Sequence, residues 1–184
     1  MKYIIFILIF FYPLNILASS KEEIKNKLKV TDNISFKFTQ KIGKETEEGE
    51  CVIFYPKKIL CKYDDINNKI LVSNGRSLVI NSKKIKNYLR YKLKDTPLNL
   101  ILDKKFLLDK LDQVETIEEN DETFSFEIVH NNNLLNIFFD KISYKIIGWT
   151  TTDIYLNKVE TKLTNVETNI IVDEKIFRIQ NYIN

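Results

Sequence analysis

At 184 residues the chain has the length of one domain, enough for a sheet, a few helices and a core between them. Its 28 basic residues are nearly matched by 25 acidic ones, leaving a net charge of +3. Lysines interspersed with acids read as a solvated surface, and this near-balance argues against the basic stripe of a nucleic-acid binder.

The chain opens on "MKYIIFILIFFYPLNILASS": one lysine, an apolar run from Tyr3 to Tyr12, then Pro13 and a small-residue end. The run is short for a membrane span, which needs about 20 apolar residues. A basic start, a short apolar core and small residues predict a secretory signal peptide over residues 1–20, with cleavage after Ala18 or after Ser20. No Cys follows, so no lipid-attachment site is expected there, and the single domain is expected to occupy residues 21–184. Its setting would be oxidising.

Next comes "KEEIKNKLKV", where Ser20 and Glu23 fit a capping box and Ile24 and Leu28 share a helix face. "ISFKFTQ" alternates, with Ile34, Phe36 and Phe38 against Ser35, Lys37 and Thr39, which predicts a strand with one wet face. "KIGKETEEGE" reads as a polar connector. Then "GECVIFYPKKILCKY" folds around Pro56. One parity holds Cys51, Ile53, Tyr55, Ile59, Cys61 and Tyr63, and carries no charge; the other holds Glu50, Val52, Phe54, Lys58, Leu60 and Lys62. Cys51 and Cys61 are the only cysteines and sit on opposite arms of this hairpin. They read either as a cross-strand disulfide or as two small buried hydrophobes, because register decides between these and spacing does not fix register.

"KILVSNGRSLVIN" gives a second hairpin around Asn74-Gly75, and "IKNYLRYKL" alternates again. The strand pattern breaks at "DTPLNLILDKKFLLDKL". Thr96 is placed to cap, Pro97 suits a first helical position, and Asp103 is placed to cap a second helix carrying Leu107, Leu108 and Leu111. Strands are predicted again over residues 124–129, 134–139, 144–151, 154–156, 160–166 and 176–179, with a turn at 131–133. The sum is a mainly β fold with short helices: an incomplete antiparallel barrel, or curved sheet, with helices over its concave face.

Catalysis is not expected. His130 is the only histidine and falls at a turn, glycines are few and scattered, and the acid pairs lie in polar stretches. Two cysteines and one distant histidine do not make a zinc site, so no metal or cofactor is expected. What stands out is apolar surface. "TPLNLIL" is apolar nearly all round and has to be buried or to act as a lid. A filled core and an apolar cavity account for it equally well.

In their order and spacing, "FTQ" (residues 38–40), the hairpin at 49–63, "KILVSNGRSLVIN" and "TPLNLIL" resemble the periplasmic lipoprotein carrier family, LolA, with looser matches at 146–149 and 165–171. The resemblance covers most of residues 21–180. It implies an incomplete eleven-stranded barrel closed by helices, and a periplasmic chaperone with neither catalysis nor cofactor. It implies as partners acylated outer-membrane lipoproteins, an inner-membrane ABC-type releasing complex (LolCDE-like) and an outer-membrane acceptor (LolB-like), with the carrier itself a monomer. It places the acyl-chain cavity on Phe36, Phe38, Ile53, Tyr55, Ile59, Cys61, Tyr63 and Leu71, with Leu98 and Ile101 on the lid. The family's Arg-Pro hairpin corner, thought to hold the lid shut, is Tyr55-Pro56 here. Lid gating would then fall to Tyr55 and Pro97, with Lys57, Lys58 or Arg76 as substitutes for the arginine. The alternative of like fold is a periplasmic lipid-binding or lipid-sensing module, either a LolB-like acceptor or an envelope-stress sensor. The absent attachment Cys and the length of one domain argue against both.

Overall fold

The structure is a computed structural model and describes residues 19–84, 87–114, 118–130, 133–153 and 157–183. The predicted signal peptide (all but its last two residues), the 154–156 strand and most of the 131–133 turn lie outside the described residues.

Eleven antiparallel strands form one curved sheet that does not close into a barrel. The first six run as a meander: β1 (Asn33–Ile42), β2 (Glu45–Phe54), β3 (Lys58–Tyr63), β4 (Ile70–Asn74), β5 (Ser77–Asn81) and β6 (Leu89–Lys92). The helices α2 (Leu98–Ile101) and α3 (Lys104–Gln113) interrupt it. A second meander follows, β7 (Glu118–Glu119), β8 (Thr123–His130), β9 (Asn133–Asp140), β10 (Ile146–Thr152) and β11 (Lys158–Thr168). The two join where β11 pairs with β1, so the free edges are β6 and β7.

The leading helix α1 (Ser20–Lys29) is capped one residue earlier than the sequence suggests: the Ser19 hydroxyl, not that of Ser20, accepts from the Glu22 amide. Ile24 and Leu28 are buried as expected, in the same core as Leu107 and Leu111 of α3. Lys25 ties the two helices by pairing with Asp112 at 2.6 Å. Asp103 caps α3 by accepting from the Phe106 amide. Thr96 does not cap α2; its hydroxyl turns back to the Leu93 carbonyl, and Pro97 stands at the cap position. The short turn "LNLI" is nevertheless buried at Leu100 and Ile101.

Three further expectations are corrected. "KIGKETEEGE" is not a connector: its first two residues end β1, Gly43 and Lys44 make the turn, and the rest opens β2, whose ten residues pair along β1. A strand is held by backbone hydrogen bonds, so a polar segment with both faces wet leaves no periodic signature. Gly49 lies where β2 and β3 approach so closely that a Cβ would collide with the Lys62 carbonyl. Residues 176–179 are not a strand; they lie within two 3-10 turns, Glu174–Phe177 and Ile179–Tyr182. Phe177 and Ile179 pack there with Leu60, Val72 and Val79, so the C-terminal segment covers the outer face of β3 to β5. His130, expected at a turn, is instead the last residue of β8, and its ring meets that of Phe106 edge-on at 5.2 Å between centroids. At the other predicted turn, Asn74-Gly75, the expectation holds, with Gly75 at φ 94° between β4 and β5.

Candidate functional site: an apolar cavity under the helices

The register brings the uncharged parity of β2 and β3 onto the concave face. Cys51 stands opposite Cys61 and Ile53 opposite Ile59. Outward, Cys61 pairs with Leu71 and Leu71 with Ile80. Inward, Cys51 pairs with Phe36. Across the seam, Phe38 pairs with Leu163, Gln40 with Thr161 and Ile42 with Val159, while Thr161 meets Trp149 on β10. Alternate residues of seven strands therefore make one continuous apolar floor.

Over that floor lies a cavity of about 290 Å³. Phe36, Phe38, Ile59, Cys61, Tyr63 and Leu71 line it, and so do Leu98, Ile101, Pro97 and Cys51. Ile53 and Tyr55 do not. They share the floor's parity but lie farther along the hairpin, in the filled part of the core, both fully buried. The lining also takes in residues that the hairpin pattern leaves out: Ile42, Leu78, Ile80 and Tyr91 from the first meander, and Leu135, Trp149 and Val159 from the second. The period-two signal was present in Trp149 and Val159. Which sheet face each parity meets follows only from the β1–β11 pairing, which joins segments more than a hundred residues apart.

Cys51 and Cys61 are joined as a disulfide with their Cα atoms 4.1 Å apart, so the link between β2 and β3 forms part of the cavity wall. Phe36 meets Trp149 edge-on at 6.1 Å, and Phe38 meets Tyr63 edge-on at 5.1 Å. Burial pushes the Tyr63 phenol well above its ordinary value, and the nearby Glu47 carboxylate pushes the same way. Lys69 lies 4.0 Å from the Tyr63 ring centroid and pairs with Glu47 at 2.7 Å. Among the described residues Asp153 is the one that lines the cavity with a formal charge, and its carboxylate accepts from the Asn157 backbone and side-chain amides. Gln40 donates to the Thr161 hydroxyl at 3.0 Å, and the buried Thr151 hydroxyl has no partner. The hollow is thus oily, with a small polar row at the β1–β11–β10 end.

The cover is latched at the hairpin corner through Lys57. Its backbone amide donates to the Leu102 carbonyl at 2.9 Å, and its ammonium meets Asp103 at 3.0 Å. Lys57 has φ 68°, and its own carbonyl accepts from the Ser73 hydroxyl. Lys58 pairs instead with Glu174, away from the cover. Arg76 meets the chain before the cover only through its carbonyl, which accepts from the Leu93 amide. The Tyr55 hydroxyl, buried and without a partner, holds nothing, and burial alone pushes its phenol far up. Of the substitutes considered for the family's arginine, Lys57 alone touches the cover.

Among the described residues no group of three or more His, Cys, Asp or Glu is placed to hold a metal ion, and no helix is long and apolar enough to cross a membrane.

Several solved structures are similar to this chain at very low identity, with TM-scores below 0.5. A LolA superfamily protein from Nitrosomonas europaea is 8% identical, with a TM-score of 0.49, over 89% of this chain and 97% of that one. A lipoprotein-sorting protein domain from Vibrio parahaemolyticus is 10% identical at the same TM-score, over 89% and 99%. MucB in the Pseudomonas aeruginosa MucA/MucB complex is 8% identical with a TM-score of 0.43, over 91% of this chain and 63% of that one. No curated protein matches the chain in sequence. The match that decides the matter is to the family described as outer membrane lipoprotein carrier protein LolA, over residues 29–180, from the end of α1 through both meanders to the last turn. The chain belongs to the LolA family.

Proposed function

We propose that this chain is a periplasmic carrier that shelters the acyl chains of outer-membrane lipoproteins in the cavity beneath α2. It would receive them from an inner-membrane ABC-type releasing complex and pass them to an outer-membrane acceptor. The observation that carries the reading is the hollow itself: an aromatic and aliphatic floor left unfilled beneath a single helical turn. Moving an acyl chain from lipid into water costs about 0.8 kcal/mol per methylene, so a lipoprotein with long tails needs such a shelter to cross an aqueous space. The closed hollow sits at the lower bound of ordinary ligand pockets, roughly 300–1,000 Å³. A multiply acylated guest therefore requires the cover to swing away, and a cover held at one corner by Lys57 suits that.

Export by residues 1–20 belongs to the same proposal, with residues 21–184 as the working domain. Cleavage after Ala18 leaves the Ser19 cap of α1 in place, whereas cleavage after Ser20 removes it, so the earlier site is the expected one. The mass of the processed chain decides between them.

The decisive experiment is co-purification. The chain is expressed in a Gram-negative host, isolated from the periplasm and analysed by mass spectrometry for triacylated lipoprotein travelling with it. A bound acylated species is the expected result. A chain recovered empty, which also fails to take up a fluorescent apolar probe, would remove the basis for a carrier.

A further inference from the structure

Charge over the whole chain is balanced, but one stretch is not. From Arg76 to Lys94 the sequence contains no Asp or Glu. Lys83, Lys84, Arg90, Lys92 and Lys94 are exposed, and none has an acidic partner among the described residues. Acids stand at its borders: Asp95 follows it, Asp64 and Asp65 lie in the loop whose Asn67 carbonyl accepts from the Lys83 amide, and Asp153 lines the cavity with Tyr91. Among these cations stand Tyr88, Leu89 and Tyr91, 37%, 42% and 40% exposed. The sequence alternation had suggested a strand with one dry face. Instead all four residues of β6 are exposed, and it forms a free edge of the sheet.

Edge strands commonly carry lysine to discourage pairing with other chains. That purpose accounts for the charges and not for three exposed apolar side chains among them. The opposite edge shows the simpler solution: β7 is two glutamates long and bare of apolar groups. Tyrosine and leucine beside lysine and arginine are instead the residues that settle at a lipid headgroup layer, with rings at the interface and cations on anionic phosphates. The position agrees. Tyr91 and its neighbour across the ladder, Leu78, both line the cavity, and the cover begins a few residues later at Pro97 and Leu98.

We propose that β6, with Lys83, Lys84 and Tyr88 before it, forms a docking strip for an anionic bilayer surface, set beside the cavity so that acyl chains enter or leave without crossing bulk water. This rests on the carrier reading for its purpose, but its test is independent. The chain purified from the periplasm is floated with vesicles of phosphatidylglycerol and phosphatidylethanolamine, and separately with vesicles of phosphatidylcholine alone. Binding to the anionic vesicles only, weakened by added salt, is expected. Combined Lys83→Glu, Lys84→Glu and Lys92→Glu substitution should weaken it by at least about tenfold. Tyr88→Ser with Leu89→Ser should weaken what survives at high salt. Thermal melts confirm that each variant folds, since every substituted side chain is exposed.

Equal binding to both kinds of vesicle, or a triple variant that binds like the parent, overturns the proposal. So does a parent chain that ignores vesicles while the same substitutions impair cargo transfer, because the strip then serves an acidic protein partner. Uptake of an apolar probe in vesicle-free solution reports on the cavity alone. If it persists without vesicle binding, the strip proposal falls and the carrier reading stands.

Discussion

The first meander gives six strands to the sheet and the second five, and the two end differently. Under α3 the second is filled: Phe124, Phe126, Ile128, Ile137 and Phe139 are all buried, and Phe126 stacks on Phe139 at 5.8 Å. Under α2 about 290 Å³ stays open, bounded by the first meander and by Leu135, Trp149 and Val159 at the near side of the second, although the lining is just as apolar. The difference lies in the cover. The filled side is covered by a ten-residue helix with Leu107 and Leu111 fully buried and its Phe106 ring against His130 at the end of β8. A single turn, Leu98–Ile101, cannot reach the floor of β1 to β5. Apolar composition therefore does not separate a core from a binding site; the reach of the element above it does.

The comparison breaks most decisively at Phe139. Phe139→Ala should cost about 3–5 kcal/mol in denaturant unfolding, as expected for emptying a well-packed site. A loss below 1 kcal/mol would mean that the second half is no tighter than the first. Adding bulk on the hollow side gives the converse. Leu71→Phe should shift stability by less than about 1 kcal/mol, where a filled core would lose about 1–3 kcal/mol, yet it should clearly reduce apolar probe uptake. Unchanged uptake would mean that Leu71 does not bound the guest's space.

The latch is a finer test. Asp103→Asn keeps a side chain able to cap α3 and removes only the ion pair with Lys57. Stability should fall by no more than about 1 kcal/mol while probe entry quickens several-fold in stopped flow. The smallest expected effect is Tyr55→Phe, which deletes an unpaired buried hydroxyl and should leave stability equal or raise it by up to about 1 kcal/mol. Tyr55 and Tyr63 have folded pKa values raised by burial, so the fold favours their protonated forms. Their contribution is complete below the ordinary tyrosine value of about 10 and is lost as pH climbs beyond it. Melting temperature should therefore decline above about pH 10, and less steeply in Tyr55→Phe.

Much of the hollow half was legible in the sequence because a strand with one greasy face writes itself in twos, and the Pro56 corner fixed which residues shared that face. The pattern alone groups Cys51, Ile59, Cys61 and Tyr63 on one face; that this face meets the hollow together with Phe36, Phe38 and Leu71 came from the family resemblance, and all of them line the cavity. Where along the hairpin the hollow ends does not follow, which is why Ile53 and Tyr55 fall in packed core. Trp149 and Val159 needed the long-range seam. The glutamate-rich start of β2 and the 3-10 turns near Phe177 were misread because backbone pairing leaves no side-chain pattern, and a short apolar run does not distinguish a strand from a tight turn.

The seam between β1 and β11 also governs when the protein can begin to work. Residues 33–42 complete their pairing only with residues 158–168, and the outer face of β3 to β5 waits for residues 172–183. A chain still being made thus has unpaired strands but no finished hollow. On the carrier reading proposed above, the cavity can hold a guest only once β11 has arrived against β1, so an unfinished chain has no pocket with which to seize lipid.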